Sequence, residues 1–253
     1  MQSSIVAKIL SLVTLISETR TPLTFSELVE ESGLNKSTLH RLLAICTEEN
    51  LVQFDKSRKV YLLGPKVFDL VRNAYSGYDI QAVALGEMMR LHALFDGNVT
   101  IGVPSDTEVV YLRILEAKKS MGSIQRPGMR EPMHCSASGK ALMAYLPDEI
   151  LAAKLDGYIF TPFTERTITD QVAFVTALQD VRSKGFAYND CEEYDHFHGI
   201  SAPIFNYMSE AIAVLNIWTP VQRHASDELL SWAPELMASA ARVTSLIGGT
   251  APH

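Results

Sequence analysis

One helix near the N-terminus constrains the fold more than any other part of the sequence. The stretch SGLNKSTLHRLLAICTEENLV, residues 32–52, has a turn glycine at Gly33 and a residue suited to helix capping at Asn35. Two stripes follow at helical spacing: an apolar one at Leu39, Leu42, Leu43 and Cys46, and a polar one at Ser37, His40, Arg41 and Ala44. The pattern predicts a helix with one buried face and one basic outer face.

The flanking segments predict a winged helix-turn-helix. Residues 3–18 have apolar side chains at helical spacing, and Thr24 with Glu27 matches the capping box that begins a second helix. After the third helix, LVQFDKSRKVYLLG alternates apolar and polar residues around a polar tip, which is typical of a two-stranded hairpin. A helix, a helix-turn-helix and a basic hairpin follow one another in the order expected for this motif.

The outer face of the third helix is suited to contact DNA. A recognition helix enters the major groove with its N-terminal residues against the bases, while other side chains contact phosphates. A solvated helix face is the alternative, but cap, turn, polar stripe and basic hairpin all agree with the DNA interpretation. The predicted DNA-binding residues are Lys36, Ser37, Thr38, His40, Arg41, Lys56, Arg58 and Lys59.

The rest of the chain predicts a second domain of mixed structure. Residues 66–95 have a helical pattern with a break near residues 76–78, which is typical of a linker. Strand-like and helix-like segments then alternate, as expected for an α+β domain around an antiparallel sheet. The predicted organisation is a winged helix-turn-helix over residues 1–65, linker helices over 66–95 and a second domain over 96–253.

Charge is distributed unevenly along the 253 residues. The net charge is -7, but the first 75 residues sum to +1 and the remainder to -8. This asymmetry indicates two units with different partners. One module with so little positive charge neutralises few phosphates, so we expect a homo-oligomer, either a dimer or a dimer of dimers, to strengthen binding to double-stranded DNA.

Composition excludes several other classes of protein. Three cysteines, at positions 46, 135 and 191, favour a reduced cytoplasmic chain over a disulfide scaffold. The sequence has no apolar run long enough to span a bilayer, and its N-terminal apolar stretch contains a lysine and lacks a cleavage site. We therefore expect no membrane partner.

Several segments resemble the IclR family of bacterial transcription regulators. GLNKSTLHRLLAICTEENLV and YLLGPKVFDL resemble its winged helix-turn-helix, and MHCSASGKALMAYLP, FTERTITD, VRSKGFAYNDCEE and GISAPIFN resemble its effector-binding domain. The resemblance implies a GAF-like α/β fold for that domain, a linker helix, an operator-binding homo-oligomer and a small-molecule effector. It also implies a repressor that a metabolite releases from DNA.

The resemblance also predicts an effector pocket. Backbone amides before the GKA helix, strand positions after GFAY and before APIF, and positions near the end of the last strand supply its lining. The predicted effector-binding residues are Ala137, Ser138, Asn189, Cys191, His196, Phe197, His198, Asn216 and Trp218. Asn189, Trp218 and the segment DHFHG depart from the family pattern, so we expect an effector different from those of the best-known members.

The effector class follows from the same resemblance. The segment EEYDHFHGISAPIF is similar to repressors of γ-butyrolactone catabolism, which respond to succinate semialdehyde. Amide groups at a helix start suit a carboxylate. We therefore expect a short carboxylate or a semialdehyde.

Three alternatives concern other chemistry. His196 and His198 are spaced for one face of a strand and are candidate zinc ligands, although His-x-His is a weak pattern. Cys135 and Cys191 are candidate redox sensors if a nearby cation or helix start lowers a thiol pKa. An enzyme is disfavoured because a Ser-x-x-Lys nucleophile before Lys140 would need serine where Ala137 stands. The sequence also lacks a phosphate-binding loop, so we expect no cofactor.

Overall fold

The computed structural model describes residues 5–19, 21–67, 69–70, 79–118 and 126–252. The chain divides into two compact units, residues 1–78 and residues 79–253. Sequence patterns assign residues 66–95 to a linker, whereas the structure groups the helix over residues 80–94 with the C-terminal unit. The break predicted near residues 76–78 lies outside the described residues.

The N-terminal unit is a winged helix-turn-helix, as predicted. Its small antiparallel sheet has the strand order β1-β3-β2. The elements in chain order are α1 (Ile5–Glu18), β1 (Leu23–Thr24), α2 (Phe25–Ser32), α3 (Lys36–Glu48), β2 (Val52–Asp55) and β3 (Val60–Leu63).

Local signals set the helix boundaries of this unit. Thr24 and Glu27 form the predicted capping box, in which a Glu27 carboxylate oxygen accepts from the Thr24 amide at 2.7 Å. Gly33 follows α2 in the left-handed conformation, with φ 64°. The Asn35 side chain caps α3 by accepting from the Thr38 amide at 2.8 Å. These contacts confirm the predicted caps.

The core of the N-terminal unit is formed by one face of each helix. The predicted apolar stripe of α3 is fully buried and packs with residues of α1, α2 and β2. Because this stripe faces inward, the polar stripe of α3 must face outward. The buried residues of the cluster are Leu12, Ile16, Leu28, Leu39, Leu42, Leu43, Cys46 and Val52.

The C-terminal unit is built on a six-stranded antiparallel sheet. The strand order is β6-β5-β4-β9-β8-β7. Its helices are α4 (Ile80–Leu94), α5 (Ala137–Met143), α6 (Asp148–Leu155), α7 (Gln171–Lys184), α8 (Ser226–Ser231) and α9 (Ala233–Leu246). Its strands are β4 (Asn98–Ser105), β5 (Glu108–Leu115), β6 (Arg130–Pro132), β7 (Ala187–Asp190), β8 (Phe197–Phe205) and β9 (Ala211–Pro220).

Both faces of this sheet are covered. One face packs against α4 and α9, where Met88 and Leu236 meet Leu215 and Ile217. The other face packs against α5, α6 and α7 through a second cluster that includes Val214. Successive residues of a strand point to opposite faces, so Val214 and Leu215 belong to different clusters. Residues of β8 and β9 on the α5 face are therefore positioned to line a space between the sheet and α5.

Two glycines of the C-terminal unit should respond oppositely to substitution by alanine. Gly86 lies in α4 with nothing within 4 Å of an added Cβ, so Gly86→Ala should stabilise the unit by roughly 0.5–1 kcal/mol. A Cβ on Gly139 in α5 would lie 2.2 Å from the Met133 Cα, so Gly139→Ala should destabilise it by roughly 1–3 kcal/mol or more. Urea unfolding of both variants beside the wild type measures the two changes. A Gly139→Ala midpoint equal to that of the wild type would show that α5 does not pack against residue 133 as described.

Candidate functional site

The start of α3 presents polar side chains to solvent. Lys36, Ser37, His40 and Arg41 are exposed, and Thr38 is half-buried. The Ser37 hydroxyl donates to the capping oxygen of Asn35 at 2.8 Å, so it also stabilises the helix start. The His40 ring lies edge-on to Phe25, with 6.4 Å between ring centroids. This surface combines two cations with the positive end of a helix dipole, which attracts phosphate.

The tip of the β2–β3 hairpin is a hydrogen-bonded turn with exposed cations. The Asp55 carboxylate accepts from the Ser57 amide at 2.9 Å and from the Arg58 amide at 3.1 Å. These bonds, led by one from the Ser57 hydroxyl, hold the pKa of Asp55 below its usual value. Lys59 has φ 56°, which reverses the chain toward β3. The turn thus displays the exposed side chains of residues 56, 58 and 59.

Below the hairpin tip, an aromatic pair joins the two strands. Phe54 and Tyr61 lie directly opposite each other, with ring centroids 4.9 Å apart. Such cross-strand pairs fix the register of a hairpin. The basic tip is therefore held at a defined position within the N-terminal unit, as a contact with a DNA backbone requires.

A cavity lies between the sheet of the C-terminal unit and α5. It encloses about 420 Å³ of space without protein atoms, part of which is open to solvent. Predicted effector-binding residues that line it are Ala137, Asn189, Phe197, His198, Asn216 and Trp218. Gly199, a strand position before APIF that the resemblance also assigns to the pocket, lines it as well. Further lining residues, not predicted as effector contacts, are Tyr111, Glu131, Glu193 and Tyr194.

Strand register explains why residues far apart in sequence meet in this cavity. Asn189 of β7 pairs with Gly199 of β8, which pairs with Trp218 of β9. Because side chains of directly paired residues lie on the same face, these three form one row across the sheet. Gly199 has no side chain, and an added Cβ would lie 3.1 Å from the Trp218 Cβ. Glycine at this position therefore keeps the cavity open.

Other predicted effector residues lie outside the described lining. Ser138 is fully buried behind the cavity, and its hydroxyl oxygen lies at hydrogen-bonding distance, 3.0 Å, from the Tyr111 hydroxyl oxygen. His196 is exposed and Cys191 is buried, and neither is among the described residues that line the cavity. His198, in contrast, does line the cavity, and its imidazole Nδ1 lies 3.4 Å from the Tyr188 hydroxyl.

Two carboxyl groups face the cavity, and no sequence motif assigns them to it. Glu131 of β6 accepts from the Tyr111 hydroxyl at 2.6 Å and is 4% exposed. Burial, together with the nearby Glu131 carboxylate, raises the pKa of Glu193 to about 9. Glu193 itself is half-buried. Two carboxyl groups that share one partly buried site retain a proton at neutral pH. Only the assembled sheet reveals the pair.

The segment that follows β7 is held in place by buried contacts. The Glu192 carboxylate forms an ion pair with Lys140 of α5, and both side chains are buried. Thr164 donates to the Cys191 carbonyl at 2.8 Å, and Thr167 donates to the Glu192 carbonyl at 2.6 Å. These contacts direct Glu192 toward Lys140, while the adjacent Glu193 lines the cavity.

The geometry gives little support to the metal and redox alternatives. Within residues 5–19, 21–67, 69–70, 79–118 and 126–252, no group of three His, Cys, Asp or Glu residues is arranged to hold a metal ion. Burial raises the pKa of Cys135 and of Cys191 above the usual thiol value. A raised pKa keeps a thiol protonated and poorly nucleophilic.

The described helices also bear on the membrane question. None of them is both long enough and apolar enough to cross a bilayer.

Comparison with known proteins identifies the family. Residues 5–56 match the IclR helix-turn-helix domain, and residues 72–245 match the bacterial transcriptional regulator IclR C-terminal domain. The Escherichia coli HTH-type transcriptional regulator XynR is 28% identical over 96% of both chains. The Escherichia coli HTH-type transcriptional regulator KdgR is 26% identical over 97% of this chain and 93% of the relative.

Solved structures have the same fold. A putative IclR transcriptional regulator from Silicibacter sp. superposes with a TM-score of 0.85 at 24% identity, covering 99% of this chain and 98% of the other. The Agobacterium tumefaciens repressor BlcR superposes with a TM-score of 0.78 at 23% identity, covering 98% of each chain. With both domain models matched in order, the chain belongs to the IclR family of DNA-binding transcriptional regulators, which are not enzymes.

Proposed function

We propose that this chain is a cytoplasmic repressor that leaves its operator when a small molecule occupies the cavity of the C-terminal unit. The observation that supports this most is the presence of both parts in one chain. The N-terminal unit exposes a basic helix start, and the C-terminal unit contains a preformed cavity with aromatic and polar lining. Small-molecule sites are typically concave, partly apolar and largely preformed.

The proposed DNA contacts divide into two kinds. Arg41 on the exposed face of α3 can place two donors against guanine in the major groove, and Lys36 at the helix start can reach a phosphate. The exposed cations of the hairpin tip contact the DNA backbone. Each α3 supplies few charged contacts, so a homodimer or a dimer of dimers brings several copies to one operator.

The effector must distinguish two arrangements of the protein. A ligand that binds the DNA-competent and DNA-incompetent forms equally shifts neither population. In the C-terminal unit, α4 packs on the sheet face opposite the cavity, beside Leu215 and Ile217. Asn216 and Trp218 alternate with these two residues along β9 and line the cavity. A shift of β9 on ligand binding would therefore reach α4, which follows the N-terminal unit in sequence.

The effector class predicted from the resemblance, a short carboxylate or a semialdehyde, stays a prediction. So does the similarity to repressors of γ-butyrolactone catabolism. The amides of Ala137 and Ser138 were expected to bind the carboxylate. The two carboxyl groups in the cavity disfavour an anion, since like charges in a poorly hydrated site repel each other.

Arg41 is expected to contribute sequence-specific affinity for DNA. Arg41→Ala should weaken binding by about 1–3 kcal/mol and relax sequence preference at one position of the site. The measurement is fluorescence anisotropy on a fragment selected by the wild-type protein from random DNA, together with every single-base variant of that fragment. The control is Glu48→Gln, an exposed substitution at the far end of the same helix, which should leave the preference unchanged. Unchanged affinity for Arg41→Ala would show that α3 lies in a different register on DNA.

The hairpin tip is expected to contact phosphates without reading sequence. Replacing Lys56, Arg58 and Lys59 with glutamine should weaken binding to all sequences alike. It should also lower the slope of log affinity against log salt by roughly 0.9 for each phosphate that the variant no longer neutralises. Affinities across a salt series give this slope. Lys184→Gln removes an exposed cation of the C-terminal unit and serves as the control. A slope equal to that of the wild type would exclude the hairpin tip from the interface.

A further inference from the structure

The cavity contains a pair of carboxyl groups that the proposed function leaves without a role. Glu131 and Glu193 come from different segments, β6 and the chain after β7, and both line the cavity. The titratable groups around Glu193 are Glu131, Tyr111 on β5, Cys135 before α5 and the adjacent Tyr194. His198 of β8 lines the same cavity, and burial lowers its pKa, which favours the neutral imidazole. Lys140 on α5 is engaged by Glu192. The described lining of the cavity is therefore acidic.

A second and independent feature of the cavity is an unused hydrogen-bond donor. Trp218 is 7% exposed and lines the cavity, and its indole nitrogen has no hydrogen-bond partner among the described residues. Buried donors are almost always paired, because an unpaired one loses its bond to water without replacement. The indole therefore indicates a ligand that brings an oxygen acceptor.

Aromatic rings complete the lining. Phe197 stands between two other rings, with centroids 6.2 Å from Tyr194 and 5.1 Å from Trp218, and both contacts are edge-to-face. The faces of such rings attract cations, and tryptophan does so most strongly. Aromatic rings and carboxyl groups thus surround the same space.

We propose that the effector is a protonated amine that also has an oxygen acceptor, with its ammonium group between Glu131 and Glu193 and its oxygen bonded to the Trp218 indole. This assignment rests on the proposed function of the cavity as the effector site. In a partly buried cavity, the attraction between an ammonium group and a carboxylate is stronger than a hydrogen bond between neutral groups. An uncharged polyol would gain only neutral bonds, and an anion would meet two carboxyl groups.

Binding of such a ligand has a defined proton balance. In the empty cavity at neutral pH, the carboxyl pair retains a proton, because the pKa of Glu193 is raised to about 9. An ammonium group takes the place of that proton, both carboxyl groups become ionised, and the proton passes to the buffer. An uncharged or anionic ligand releases none.

Two matched sets of probes test the charge of the ligand. The aliphatic set is ethanolamine, ethylene glycol and glycolate, and the aromatic set is tyramine, tyrosol and para-hydroxyphenylacetate. Within each set the frame is similar and the charge is positive, zero or negative. Titration calorimetry of the full-length protein should show that the amine of at least one set binds at least about tenfold tighter than its neutral partner. Proton release is followed with a pH indicator in dilute phosphate, because an amine buffer such as Tris would compete for the site. It should amount to about one proton per amine bound.

Glu193→Gln is the variant that tests the site. The amide has the size and the neutral charge of the protonated carboxyl group, so the fold should be kept, and circular dichroism checks this. The variant should lose the preference for the amine and the proton release. Glu165→Gln makes the same chemical change at an exposed position and should retain both.

The possible results separate this inference from the proposed function. If the neutral or anionic member of both sets binds best, or if the amine binds without proton release, the inference is wrong while the cavity remains an effector site. If none of the six probes binds, the inference is also wrong, and the selected DNA fragment still tests the regulator independently. If an amine binds and DNA affinity stays unchanged, the ligand assignment holds and the proposed release mechanism fails.

Discussion

The alternation of side chains along the paired residues 199–204 of β8 and 213–218 of β9 is the constraint on which the C-terminal unit depends. Ile200, Leu215 and Ile217 point to one face and form a dry core with α4 and α9. Ser201 and Asn216 point to the other face and must find polar partners there. Ser201 donates to the Leu215 carbonyl at 3.1 Å, and Asn216 donates to the Thr100 hydroxyl at 3.1 Å. A shift of one residue in register would exchange the two faces and remove both the core and the cavity.

Much of the N-terminal unit could be predicted because its signals are local. Thr24 and Glu27, Gly33 and Asn35 each act within a few residues, and the structure has each cap where the sequence indicated it. Helix periodicity also identified the face of α3 that is buried. Neither signal depends on how distant segments meet.

The cavity was predictable only in part, because some lining residues lie at positions that resemble the family and others are placed by strand pairing alone. Asn189, Phe197 and Trp218 lie at positions that the family resemblance assigns to the pocket, and all three line the cavity. Glu131 comes from a short strand that resembles no motif, and its place depends on pairing with β5. Sequence also cannot decide which of two adjacent acids, Glu192 or Glu193, turns inward. The buried ion pair with Lys140 decides this in the folded chain.

The assignment of α4 shows a related limit. Ala84, Met88 and Leu91 recur at helical spacing, which fits a linker or an oligomer contact as well as a core. In the structure all three are fully buried against the sheet of their own unit. The apolar residues of β4, β9 and α9 that pack against α4 show that its apolar face belongs to the core. Because α4 packs on one face of the sheet and the cavity lies on the other, the proposed mechanism requires only that a ligand alter the packing between that sheet and α4.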